Sequence, residues 1–94
     1  MRIKFSRSAV KFVEKLKGKD QERIRRKIST LTSAIENQGI IPFKELDIKK
    51  LSGDWTGYFR MRIGKLRIIF RIDKENEQLL VYEIDFRGDI YKTS

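Results

Sequence analysis

The stretch from Phe59 to Ile72 constrains the fold more than any other part of the chain. Phe59-Arg60-Met61-Arg62-Ile63 alternates apolar and basic residues, Gly64-Lys65 is a two-residue loop of the Gly-X kind suited to a type II′ turn, and Leu66-Arg67-Ile68-Ile69-Phe70-Arg71-Ile72 resumes the alternation. Successive side chains of a strand point to opposite faces. A hairpin closed at Gly64-Lys65 therefore pairs Ile63 with Leu66, Met61 with Ile68 and Phe59 with Phe70, all on one face. The other face gathers Arg60, Arg62, Arg67 and Arg71 together with Tyr58 and Ile69, and sets Arg62 opposite Arg67. Like charges opposed across a ladder destabilise it, so such a face calls for neighbouring acids or a polyanion.

The remaining elements follow from periodicity. Leu79 to Phe86 reads as a third strand, with Leu80, Tyr82, Ile84 and Phe86 expected in the core and Val81, Glu83, Asp85 and then Arg87 on the arginine face. At the N-terminus Ile3 and Phe5 alternate with Arg2 and Lys4 as a short half-buried strand. Ser6 or Ser8 then caps a helix carrying Val10, Val13 and Leu16 on one side, and Gly18 is expected to stop it. A second helix from near Asp20 has Ile24, Ile28, Leu31 and Ile35 as one apolar stripe, with Glu22 spaced to pair with Arg26 and with Gly39 and Pro42 closing it. Residues 39–57 read as a connection in which Leu46 and Ile48 mark at most a brief edge strand. The predicted architecture is a single α+β domain over residues 1–94: an N-terminal strand, an αα-hairpin, and a three-stranded antiparallel meander forming one sheet.

The charge balance narrows the partners. With 22 Lys+Arg against 13 Asp+Glu, a formal charge of +9, the surface potential favours phosphates, anionic lipid heads or an acidic protein. No stretch approaches the roughly 18 apolar residues of a membrane span, so the expected location is the cytoplasm, with no membrane partner. The chain has no cysteine and no histidine, which removes disulfides and the commonest metal ligands. Neither a bound metal nor a cofactor is expected, and any catalysis must take its acid and base from other side chains.

Every base on the sheet's charged face is arginine, although lysine is frequent elsewhere in the chain. Two readings stand. The face is either a solvated surface neutralised in part by Glu83 and Asp85, or a surface for phosphates, which the planar guanidinium fork binds through paired hydrogen bonds. The basic side of the second helix, Arg23 to Lys27, either faces water or forms a secondary docking surface. Trp55 and Tyr58 either cover a core edge or stack on bases.

Taken together, Leu51-Ser52-Gly53, the hairpin Phe59 to Phe70 and the closing Phe86-Arg87-Gly88-Asp89-Ile90-Tyr91 resemble the RelE/ParE toxin superfamily, as does the order of elements along nearly the whole chain. The resemblance to RelE-type members implies a type II toxin, an mRNA interferase. Such a protein enters the ribosomal A site, cuts translated mRNA there, and is held inactive by a cognate RelB-like antitoxin in a hetero-oligomer. It also implies a site. Arg60 and Arg62 match the basic residues before the hairpin turn, Arg67 the arginine after it, Arg87 the C-terminal arginine, and Tyr91 the C-terminal tyrosine.

On this reading the RNA 2′-OH attacks its own phosphate without a metal. Arg67 and Arg87 clamp the developing charge, Arg60, Arg62 and Arg71 hold flanking phosphates, and Tyr91 stacks on a base or accepts the 2′-OH proton. This chain departs from the pattern at Phe86, where several relatives carry histidine. The proton is then left to Tyr91, to an acid such as Glu83 or Asp85, or to the ribosome. The alternative within the superfamily is a ParE-like poison of DNA gyrase without ribonuclease activity.

Overall fold

The computed structural model describes residues 1–86. Strand β1 (Arg2–Phe5) leads through Ser6 into helix α1 (Arg7–Glu14) and then the long helix α2 (Gly18–Gln38). A looping connection reaches strand β2 (Ile48–Lys50), and a single 3-10 turn at Gly53–Trp55 precedes β3 (Phe59–Ile63), β4 (Leu66–Asp73) and β5 (Gln78–Phe86). The strands form one sheet in the order β1-β5-β4-β3-β2, antiparallel except for the β1–β5 pair.

The hairpin has the register read from the sequence: Ile63 faces Leu66, Met61 faces Ile68, Phe59 faces Phe70 and Arg62 faces Arg67. Gly64 has φ of 58°, while Lys65 does not take a positive φ, the combination a type II′ turn requires. The helices cover the apolar face. Ile24, Ile28 and Leu31 of α2 and Ala9 of α1 pack on Met61, Ile63, Leu66, Ile68, Phe70, Leu79, Val81 and Ile84 in one cluster, with Ile35 at its margin. Gly39, at φ 65°, ends α2 in the left-handed conformation that lets its N–H reach the Ile35 carbonyl at 3.0 Å.

Four local expectations change. Gly18 does not stop α1, which ends at Glu14; it opens α2, and the break between the helices falls at residues 15–17. The brief apolar alternation at Ile48 is a true edge strand, antiparallel to β3 with Ile48 opposite Met61, so the sheet has five strands. Glu22 meets Arg25 at 3.7 Å, one residue short of the Arg26 expected.

The fourth change concerns β5. Leu79 and Val81 are buried and Tyr82 is exposed, the reverse of the simple alternation for this half of the strand, whereas Ile84 is buried as expected. The cause is a bulge: Phe70 pairs with Val81 and Ile69 pairs with Glu83, leaving Tyr82 as an extra residue. Leu80, Tyr82 and Glu83 are thereby set away from the helices, and Phe86 ends the strand against the ring of Phe12 at 5.2 Å.

Ser6 fixes this bulge. Its hydroxyl accepts from the Ala9 N–H (3.1 Å) as the N-cap of α1 and donates to the Tyr82 carbonyl (2.6 Å), while its own N–H donates to the Val81 carbonyl (2.9 Å). Ser6→Ala should cost about 1–2 kcal/mol in urea denaturation, because a cap is lost and a strand carbonyl is left without its donor. Ser6→Thr, which keeps the hydroxyl, should recover most of that, and Ser8→Ala should change little.

The β4–β5 turn supplies a second test. The Asp73 carboxylate accepts from Asn76 Nδ2 (2.8 Å) and from the Asn76 N–H (3.2 Å), and these bonds hold its pKa below the ordinary 3.8. A carboxyl with a depressed folded pKa contributes stability above its unfolded pKa and loses it as pH falls through the folded value. The stability difference between wild type and Asp73→Ala should therefore be present at pH 7 and shrink as acid titrates the carboxyl below pH 3.8.

Candidate functional site

The sheet face away from the helices carries three rows of side chains set by register. The first places Arg62, Arg67 and Asp85 side by side on β3, β4 and β5, and the second places Lys49, Arg60, Ile69 and Glu83 across β2 to β5. The third runs Arg71, Leu80, Lys4 across β4, β5 and β1, with Tyr58 immediately before β3. Rows two residues apart along a strand lie about 7 Å from one another.

Arg60, Arg62, Arg67 and Arg71 thus share one face as the alternation predicts, but they are not equally available. The Arg71 side chain is exposed and Arg62 and Arg67 are half-buried, whereas only 8% of the Arg60 side chain is open to solvent. Arg60 is therefore part of the floor of the site. Arg87 and Tyr91, the two C-terminal candidates, lie outside the described residues.

The acid that neutralises this face comes from the connection. Asp47 Oδ1 lies 3.8 Å from Arg60 Nη2, and Asp47 Oδ2 lies 3.5 Å from Arg62 Nε. Among the described residues neither Glu83 nor Asp85 pairs with an arginine, and Asp85 Oδ1 instead accepts from the Phe86 N–H at 2.8 Å. Asp47 reaches its position through backbone geometry. Its φ of 52° is left-handed, a conformation aspartate tolerates better than most residues, and its carbonyl accepts from the Arg62 N–H at 3.2 Å. The sequence signal was slight: an acid standing between Leu46 and Ile48 in a short apolar alternation.

The Nε atoms of Arg62 and Arg67 are buried and make no hydrogen bond among the described residues, the Arg62 Nε having only the ion pair with Asp47 at 3.5 Å. A buried guanidinium N–H is costly to leave unmatched, so two of them on facing strands mark a place where an anionic oxygen gains more than it would at an open surface.

Beyond Arg71 the character becomes aromatic. Trp55, Tyr58 and Tyr82 meet edge to face with ring centroids 5.4, 5.5 and 5.7 Å apart. Tyr58 is held by the chain around it, its N–H donating to the Trp55 carbonyl (2.9 Å) and its carbonyl accepting from the Leu51 N–H (3.0 Å). Tyr82 joins them through the bulge, which is why simple alternation missed it. Among the described residues no cluster of His, Cys, Asp and Glu is arranged to hold a metal, and no helix is long and apolar enough to cross a membrane.

Comparison with known proteins adds to this geometry. The family described as ParE toxin of type II toxin-antitoxin system, parDE, matches residues 3–91. Toxin RelG of Mycobacterium tuberculosis is 36% identical over 44 residues, 47% of this chain and 51% of RelG, so the chain spans about half the length of that curated relative. Among solved structures, the RelB-RelE antitoxin-toxin complex from Methanococcus jannaschii matches with a TM-score of 0.64 and 25% identity over 94% of both chains. The YoeB/ParE toxin from Agrobacterium tumefaciens (TM-score 0.67, 20% identity, 93% of this chain and 99% of that one) shares the fold. So does the intact Escherichia coli RelBE toxin-antitoxin complex (TM-score 0.68, 16% identity, 90% of this chain and 94% of that one).

The Asp47 contacts can be measured directly. Asp47→Asn keeps the tolerance for a left-handed backbone and removes only the charge. A double-mutant cycle with Arg62→Gln should give a coupling of about 0.2–1 kcal/mol in urea denaturation, since the carboxylate is 56% exposed and water weakens the pair. Asp47→Asn should also elute from heparin at higher salt than wild type.

Proposed function

Because the chain belongs to the ParE toxin family of type II toxin-antitoxin systems and has the RelE-like fold, we propose that it is a toxin acting as a ribosome-dependent mRNA endoribonuclease. The observation that carries this reading is the pair Arg62 and Arg67, in register on neighbouring strands, each with a buried Nε that makes no hydrogen bond among the described residues. A scissile phosphate is the anion such a pair suits.

In the reaction proposed, the RNA 2′-oxygen attacks the adjacent phosphorus while the bond from phosphorus to the 5′-oxygen breaks, leaving a 2′,3′-cyclic phosphate and a 5′-hydroxyl. The protein's share is alignment and charge stabilisation. Arg67 faces the non-bridging oxygens in which charge develops, and Arg87 is assigned the same role from the C-terminal segment. Arg62 and Arg71 hold flanking phosphates, and buried Arg60 supports them from beneath by adding positive potential. Asp47 positions Arg62. Tyr91, Glu83, Asp85 or a ribosomal group takes the 2′-OH proton, since the chain has no histidine, and the departing 5′-oxygen takes a proton from water to become the hydroxyl.

Metal independence, action in the cytoplasm at the ribosomal A site, and inhibition by a cognate RelB-like antitoxin in a hetero-oligomer are parts of the same proposal. A chain with a charge of +9 and four arginines gathered on one sheet face suits an acidic, partly disordered antitoxin segment that orders on binding.

The matching family's own description favours a second reading, that of a ParE-like gyrase poison. Primer extension on a translated mRNA separates the two. Wild type should produce cuts within codons that depend on translation, and Arg67→Ala should reduce them by about a hundredfold or more, the scale of losing one donor to a developing oxyanion. Tyr91→Ala should also reduce them. Intact mRNA accompanied by DNA breaks trapped on gyrase would overturn the nuclease reading in favour of the second.

A further inference from the structure

The third row of the open face ends in a concavity from which the cleavage chemistry uses only Arg71, for a flanking phosphate. It has a volume of about 260 Å³, and Lys4, Ser6, Tyr58, Arg71, Leu80 and Tyr82 line it. Its construction follows from the register. Leu80 on β5 lies between Lys4 on β1 and Arg71 on β4, so two exposed cations flank an apolar floor at about 10 Å from each other, two strand spacings. The aromatic wall is Tyr58 and Tyr82, and Trp55 packs against both of their rings without itself lining the concavity.

Those rings contact one another at interplanar angles of 87°, 71° and 69°, an edge-to-face arrangement that fixes their orientation while leaving surface free. Tyr82 remains 48% exposed and Trp55 37%. An aromatic group that only sealed a core edge would not need that opening, nor a cation on either side of its floor. The volume is small for a drug-sized ligand and suits one planar group.

We propose that this concavity is a nucleotide subsite for single-stranded RNA, in which one unpaired base stacks on the rings of Tyr58 and Tyr82, braced by Trp55, and its flanking phosphates bind Arg71 and Lys4. The proposal rests on the reading of the protein as an RNA-cleaving toxin and adds a second contact region to it. The subsite lies two rows, about 14 Å, from the Arg62–Arg67 row. That separation assigns it a nucleotide a few positions away from the scissile phosphate along the same strand. Stacking tolerates any base and the concavity admits either a purine or a pyrimidine, so the subsite contributes affinity at that remote position.

The test is equilibrium binding of a fluorescently labelled 2′-O-methyl RNA hexanucleotide, which cannot be cleaved, to the purified chain. Tyr82→Leu should weaken binding about tenfold, the scale of stacking on an exposed aromatic. Trp55→Leu, which removes the ring bracing Tyr58 and Tyr82, should weaken it about threefold, and Tyr82→Phe, which keeps the ring, should stay within about twofold of wild type. Lys4→Gln and Arg71→Gln should each lower the slope of log affinity against log salt by about 0.7. An abasic site at the stacked position should abolish the difference between wild type and Tyr82→Leu. Thermal unfolding of every variant confirms that the fold persists.

Equal affinities for wild type, Tyr82→Leu and Trp55→Leu overturn the subsite, as does failure of the wild-type chain to bind the hexanucleotide. Loss of antitoxin binding in the leucine variants with RNA affinity intact also overturns it and assigns the aromatic face to the protein partner. The nuclease reading has its own readout. Translation-dependent cleavage by wild type with aromatic-independent binding removes the subsite alone, and aromatic-dependent binding without cleavage removes the nuclease alone.

Discussion

The hydroxyl of Ser6 holds together parts of the molecule that are far apart in sequence. It begins α1 by capping the Ala9 N–H and secures β5 by donating to the Tyr82 carbonyl, so one oxygen determines both where the first helix starts and where the last strand departs from regular pairing. The consequences spread along β5. Before the bulge Leu79 and Val81 point to the helices; after it Ile84 does, and the residue gained in between puts Tyr82 and Glu83 on the open face. Without that extra residue a strand with this sequence must either expose Val81 and bury Tyr82 or expose Ile84 and bury Glu83. The aromatic cluster and the arginine rows share a face because the strand is allowed one break in its alternation.

The electrostatics of that face follow a similar economy. Opposing Arg62 to Arg67 works against sheet formation, and the fold offsets it locally with Asp47, a single half-exposed carboxylate shared by Arg60 and Arg62. Such sharing orients both guanidinium groups and leaves the Arg62 Nε without a hydrogen bond among the described residues. A more completely neutralised face would have made a stabler sheet and a poorer surface for phosphate. The uneven burial of the four arginines gives each a different role. Arg60 sets potential from below, Arg62 and Arg67 present constrained donors, and Arg71 samples solvent.

Much of this was legible in the sequence because it depends on local periodicity. The hairpin register, the apolar stripe of α2, the stop at Gly39 and the shared face of Arg60, Arg62, Arg67 and Arg71 follow from side-chain alternation and turn chemistry, which neighbours in the chain dictate. Asp47 and Tyr82 were not legible. Asp47 acts through a left-handed backbone and a strand pairing between segments that periodicity does not connect, and Tyr82 moves to the open face because a hydroxyl from the other end of the chain, 76 residues away, accommodates an extra residue. The assumption that Glu83 or Asp85 would pair with the arginines had the same weakness: sharing a face does not decide which acid reaches, and Asp85 turns back to its own backbone.

The parallel pairing of β1 with β5 bears on how the protein comes into being on a ribosome. The first strand emerges early but finds its hydrogen-bonding partner only when the last strand has been synthesised, and Lys4 waits equally long for Leu80 and Arg71. Helices and hairpin can form as they appear, since their contacts are local, whereas closing the sheet across nearly the full length of the chain is the slow step. The open face is therefore completed late in synthesis. During translation the nascent chain holds helices and a hairpin without a finished surface, and a bound partner that waits for that surface has nothing to grip until the polypeptide is nearly whole.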